Sequence, residues 1–117
     1  MSEKNLVAIL GVGKGSWGHI ARIISEDKWD SITMVTNEWG QENFTCSQDA
    51  EYIIMNNRAG MRNLIDLIKE KMPKKKKVSL CLASGTGKEH TAVIAMLREL
   101  KIEYNLVALT DEGTTYF

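Results

Sequence analysis

The chain has 117 residues, 44% hydrophobic and 26% charged, from which we expect a single folded domain over residues 1–117, with no further domain attached. Its 15 Lys and Arg residues balance 15 Asp and Glu residues, so the charge does not favour long DNA, long RNA or an anionic membrane as a partner. No stretch has the ~20 apolar residues of a membrane helix, and the start MSEKN has no signal-peptide features, so we expect a cytoplasmic protein.

The first half of the chain begins with a short apolar run, Leu6–Leu10, which is typical of a strand buried on both faces of a parallel sheet. The glycine-rich loop 11–15 follows, and Ser16 is a candidate N-cap for an amphipathic helix that runs to about Glu26. A second buried strand is predicted at Ile32–Thr36. The polar stretch 37–48 has no clear pattern and is interpreted as irregular.

The second half continues this alternation of strand and helix. In order, the sequence predicts a strand at Tyr52–Met55, a helix at Met61–Met72, a strand at Val78–Ala83, a helix at about Lys88–Lys101, a strand at Leu106–Leu109 and a candidate edge strand at Thr114–Phe117. Such alternation predicts an α/β fold, a Rossmann-like three-layer sandwich with a mainly parallel sheet of five to six strands in the order 3-2-1-4-5.

Two glycine-rich loops mark the candidate site. In this order the first strands are added on one side of strand 1 and the later strands on its other side, so the strand order reverses between strands 1 and 4. Ligands bind at the carboxyl ends of the two strands that flank such a reversal. The loops Gly11–Ser16 and Ser84–Lys88 directly follow those two strands, and each opens a helix. Glycines let backbone amides approach an anion, and helix N-termini supply free N–H donors, so the pattern indicates a site for a phosphate-bearing ligand.

The predicted ligand-binding residues supply amides, hydroxyls, positive charge or imidazole at these loops. They are Gly11, Gly13, Lys14, Gly15, Ser16, His19, Ser84, Gly85, Thr86, Gly87 and Lys88. Three of them also have a structural interpretation: Ser16 as a helix cap, His19 as a packing residue and Lys88 as an ordinary residue at a helix start. For Trp17, a core or dimer contact is favoured over base stacking, and a solvated loop is favoured for Trp39.

Two better-known phosphate motifs do not fit these loops. A P-loop requires glycine where Leu82 stands and Ser or Thr where Glu89 stands, which argues against an ATPase. The dinucleotide fingerprint requires glycine or alanine where Ser16 stands, which disfavours ordinary NAD binding. The cysteines, Cys46 and Cys81, lack a CxxC partner, and we expect neither a metal nor a resident cofactor.

The loops GVGKGS and Gly85-Thr86-Gly87-Lys88 resemble those of the CRISPR-associated Rossmann fold (CARF) domains. Those domains carry a Gly/Ser loop after strand 1 and a Gly-Gly-Thr-Lys-like loop after strand 4. Here Thr86 and Gly87 are interchanged relative to that pattern. The resemblance covers most of the chain in the order of its elements.

The resemblance implies a homodimer that binds a cyclic oligoadenylate across its twofold axis, as part of CRISPR antiviral defence. It also implies an alternative, because some members cleave the ring without a metal. In those members a Ser and a Lys, matched here by Ser16 and Lys88, support attack of a ribose 2′-OH on the adjacent phosphate. A third alternative is a structural or regulatory subunit whose glycine loops only shape turns.

Overall fold

Six strands form one sheet in the order β3-β2-β1-β4-β5-β6 in the computed structural model, which describes residues 3–117. The strands are β1 (Asn5–Ile9), β2 (Ser31–Thr36), β3 (Glu51–Ile54), β4 (Lys77–Cys81), β5 (Glu103–Thr110) and β6 (Gly113–Tyr116). The first five strands pair in parallel, and β6 pairs antiparallel with β5 at one edge. The α/β class, the order 3-2-1-4-5 and the edge strand are therefore confirmed.

Four α-helices connect these strands: α1 (Trp17–Glu26), α2 (Glu38–Asn43), α3 (Met61–Lys71) and α4 (Gly87–Glu99). A single 3₁₀ turn, Lys14–Ser16, precedes α1. The helix α2 lies in the stretch that the sequence left irregular, so that interpretation was wrong. Its start is fixed by Asn37, whose side-chain oxygen accepts a hydrogen bond from the Gly40 amide at 2.8 Å.

The central strand β1 explains why the apolar run at the start of the chain is continuous. Val7 and Ile9 point to a core cluster that includes α3 and α4, whereas Leu6 and Ala8 point to a cluster with α1 on the other face. Since side chains alternate along a strand, burial on both faces favours an apolar residue at each position from Leu6 to Ile9. Two hydrophobic layers therefore hold the carboxyl ends of β1 and β4 side by side.

The edge strand β6 is attached to the end of α1 by polar contacts. The backbone N–H and the hydroxyl of Thr114 donate to Glu26, at 3.1 and 2.6 Å, and the Tyr116 hydroxyl donates to Asp27 at 2.7 Å. A hydrogen bond from Lys4, followed by the one from Tyr116, holds the pKa of Asp27 below its usual value. Across residues 3–117, the helices are too short or too polar to cross a bilayer.

Candidate functional site

The two glycine loops lie against each other at the carboxyl end of the sheet. Because β1 and β4 are hydrogen-bonded neighbours that run in parallel, their following loops leave the same edge. The Gly11 amide donates to the Ser84 hydroxyl at 2.8 Å, and a Cβ added at Gly11 would lie 2.8 Å from the Gly85 nitrogen. The loops are thus in direct backbone contact, which leaves no room for a larger residue at Gly11.

Gly85 makes the tight turn of the second loop. Its φ is +99°, and an added Cβ would come within 2.6 Å of Cγ2 of Ile9 and 2.9 Å of Oε1 of Glu89. Below this turn the His90 ring donates its Nε2–H to the Ser84 carbonyl at 2.7 Å. Both the conformation and the packing therefore require glycine at position 85.

The N-terminus of α4 contains its own carboxylate. Thr86 and Glu89 form a capping box, in which Oε1 of Glu89 accepts from the Thr86 amide at 2.9 Å and Oγ1 of Thr86 accepts from the Glu89 amide at 3.2 Å. Glu89 is buried, so the residue that breaks the P-loop pattern closes the helix start instead. Gly87 and Lys88 lie in the first turn of α4. Their backbone amides therefore have no carbonyl acceptor from a preceding turn of the helix.

Lys88 reaches away from the first loop and towards the loop between β3 and α3. Its ammonium group donates to the Asn57 carbonyl at 3.2 Å and to the Ala59 carbonyl. The Asn57 side chain in turn donates to Glu89. The positive charge predicted for the site is therefore present at its rim, where carbonyl oxygens solvate it and an anionic oxygen would be a stronger acceptor.

Ser16 stands at the N-cap position of α1 but makes no side-chain capping bond. Its backbone has helical angles, φ −97° and ψ −1°, because the 3₁₀ turn runs directly into the helix, whereas a capping side chain normally requires an extended backbone. The Ser16 hydroxyl therefore does not cap α1, although the sequence analysis expected it to do so. Gly13 and Gly15 beside it are exposed and have open space where a Cβ would be.

His19 is committed to the fold. Its Nε2 accepts a hydrogen bond from the Leu109 amide at 2.8 Å, which joins α1 to β5. The structure thus places this ring against the neighbouring strand. This hydrogen bond gives His19, one of the eleven predicted ligand-binding residues, a structural role between α1 and β5.

An aromatic cluster, missed by the sequence analysis as a unit, adjoins the first loop. The Trp17 indole N–H donates to the Gly11 carbonyl at 3.0 Å. The centroid of the Trp17 ring lies 5.3 Å from that of Trp39 and 5.7 Å from that of Phe44. The Lys14 ammonium lies 5.9 Å from the centroid of the Trp17 ring and 5.5 Å from that of Trp39, a cation–π arrangement. The sequence does contain a signal for α2, the helix that carries Trp39: Asn37 is a typical N-cap residue, and the first turn after it is acidic.

A cleft of about 640 Å³ lies next to these loops, between the start of α2 and the loop that joins β3 to α3. Trp39 forms part of one wall, and Asn57, which touches both Lys88 and Glu89, forms part of the other. The cleft is shallow and largely open to solvent. Trp39 therefore links the cleft to the aromatic cluster, and Asn57 links it to the start of α4.

Searches of protein-family models and of curated proteins found nothing that matches this chain. The functional argument therefore rests on the geometry of residues 3–117. Within them no group of three or more His, Cys, Asp or Glu side chains is placed to hold a metal ion. What the geometry offers a ligand is backbone amides, two lysines and an aromatic surface.

Proposed function

We propose that this protein binds a phosphate-bearing nucleotide on the loops Gly11–Ser16 and Ser84–Lys88. The observation that carries the proposal is the direct backbone contact of the two loops beside β1 and β4. This is the reversal point of the strand order, where open α/β sheets bind their ligands. The helices α1 and α4 both begin at this edge, and the first-turn amides of Gly87 and Lys88, beyond the amide that Glu89 caps, are donors for an anion.

The exposed glycines add a second line of support. Gly13, Gly15 and Gly87 would each have open space around an added Cβ, and none has a positive φ. Packing and conformation therefore do not explain why these positions lack a side chain. A ligand that must approach the backbone closely would explain it.

The specific ligand that we propose is a cyclic oligoadenylate, and it follows from the CARF resemblance of the two loops. That resemblance also leads us to propose a homodimer that holds the ring across a twofold axis. In such a complex Lys14 and Lys88 provide the positive charge, and Ser16 provides a hydroxyl that no helix cap consumes.

Calorimetric titration with cyclic tetra-adenylate and cyclic hexa-adenylate tests the proposal. The decisive variant is Gly13→Leu, because its side chain enters open space in the folded protein but covers the loop from which a phosphate would be bound. We expect at least tenfold weaker binding and an unchanged free energy of unfolding. Ser25→Leu, an exposed position near the other end of α1, is the matched control and should bind as the wild type does.

Several results would contradict the proposal or choose between its forms. Binding that survives Gly13→Leu, or is lost equally in Ser25→Leu, would place the ligand elsewhere. Absence of binding to either ring would leave the glycine loops as structural turns. Linear products with 2′,3′-cyclic phosphate ends, formed with EDTA present and lost in Lys88→Ala, would establish the ring-cleaving alternative. Sedimentation with and without the ring tests the homodimer.

A further inference from the structure

The cleft beside the glycine loops has walls that are already held in position. Asn37, at the start of α2, donates a hydrogen bond to Asn57 across the cleft at 3.3 Å. Asn57 is itself bonded to the buried Glu89. Hydrogen bonds therefore connect the two walls of the cleft to each other and to the start of α4.

The surfaces of the cleft suit a flat, uncharged heterocycle. The half-buried side chain of Ile54 and the 40% exposed indole of Trp39 supply the apolar area of the cleft, and an indole offers both a flat apolar face and a polar N–H. The amide of Asn56 adds hydrogen-bonding groups at the rim. One acid, Glu38, and one base, Arg58, line the cleft, so their charges balance and do not favour an ionic guest.

Two contacts connect this cleft to the proposed phosphate site. On one side Trp17 bonds to the Gly11 carbonyl and packs against Trp39. On the other side Lys88, at the end of the second loop, bonds to the Asn57 carbonyl. The cleft and the two loops are therefore joined by direct contacts, which brings a base subsite within reach of a nucleotide whose phosphate lies on the loops.

We infer that the cleft is a nucleobase subsite, in which the base stacks on Trp39 while its phosphate lies on the two glycine loops. This inference rests on the proposed function and adds the place where the base of the nucleotide is recognised, which a phosphorylated sugar or a free phosphate would leave empty. Trp39 acts as a binding residue, and the amides at the rim contact the edge of the base.

Calorimetric titration with adenosine 5′-monophosphate and ribose 5-phosphate tests the inference, because the two probes share the phosphate and differ by the base. Stacking of a base on an aromatic side chain changes affinity by about 5- to 150-fold. We expect Trp39→Ala to weaken the nucleotide by that factor and to leave ribose 5-phosphate unchanged. Trp39→Phe keeps an aromatic face and should lose less. Phe117→Ala removes another exposed aromatic ring, 68% exposed at the chain end, and should change neither affinity.

Each other outcome has a distinct meaning. Equal wild-type affinities for the two probes would overturn the base subsite and leave the phosphate site standing. Equal weakening of both probes by Trp39→Ala would show that Trp39 only supports the loop. If neither probe binds the wild type, the base subsite is overturned, whereas the proposed function is decided separately by the titrations with the cyclic rings. An indole N–H resonance that is lost in Trp39→Phe and shifts in the wild type only with the nucleotide would support stacking independently.

Discussion

Replacement of Gly85 by alanine tests how tightly the structure constrains the second loop. A Cβ at this position would lie 2.6 Å from Cγ2 of Ile9, a side chain that is fully buried and β-branched and so has little freedom to move. Overpacking of this kind costs about 1–3 kcal/mol. The φ of +99° adds the cost of about 1–2 kcal/mol for a non-glycine residue in a left-handed conformation.

A smaller opposing effect comes from the unfolded chain, which alanine makes less flexible, by about 0.4–1 kcal/mol. We therefore expect Gly85→Ala to lose about 2–4 kcal/mol of unfolding free energy, a large part of the ~5–15 kcal/mol of a typical domain. Urea denaturation followed by circular dichroism measures the difference. Gly87→Ala is the matched control: its Cβ would meet open space, and alanine is the better helix former, so its stability should equal or exceed that of the wild type. Equal stability of the two variants would refute the packing described for the loop.

Two further predictions concern single polar contacts. Thr86→Ala removes one half of the capping box with Glu89 and should lower the unfolding free energy by about 0.5–2 kcal/mol, whereas Thr86→Ser should stay close to the wild type in the same urea titration. Asp27→Asn removes the carboxylate whose pKa is held low by the hydrogen bonds from Lys4 and Tyr116. A lowered folded-state pKa stabilises the fold above the unfolded value of about 3.9 and ceases to do so as the pH falls through the folded value. The urea midpoints of Asp27→Asn and wild type should thus differ at pH 6 and converge towards pH 2, and a pH-independent difference would argue against this ion pair.

The sheet was predictable because burial on both faces leaves a direct trace in the sequence. At Leu6–Leu10 every residue is apolar, and the structure buries them all. The start of β5 was not predictable in the same way. It begins at Glu103, three residues before the predicted Leu106, because polar residues near the amino end of the sheet pair with one another. There Asn105 accepts a hydrogen bond from the Ser79 hydroxyl on β4 at 3.0 Å, a pairing that no local pattern reveals.

At the site, the meeting of the two loops followed from strand order, whereas the direction of individual side chains did not. Lys88 bonds to carbonyls of Asn57 and Ala59, and Glu89 bonds to the Asn57 side chain. These contacts depend on the loop between β3 and α3, which carries no recognisable motif. His19 likewise depends on a strand amide ninety residues later in the chain. Long-range contacts of this kind are set by the fold and are not encoded by spacing.

The glycines themselves separate what the fold needs from what a ligand would need. Gly11 and Gly85 are required by close packing of the loops, so a purely structural interpretation accounts for them. Among the glycines of residues 3–117, those with open space around an added Cβ all lie at or just before the first turns of α1, α3 and α4: Gly13, Gly15, Gly18, Gly60 and Gly87. Gly13 and Gly60 are N-cap residues, where glycine is well tolerated, whereas Gly15, Gly18 and Gly87 lie within helical turns, where glycine costs about 0.5–1 kcal/mol relative to alanine. All three helices begin at the edge where parallel strands end, and bare backbone at that edge is what a phosphate-bearing guest requires.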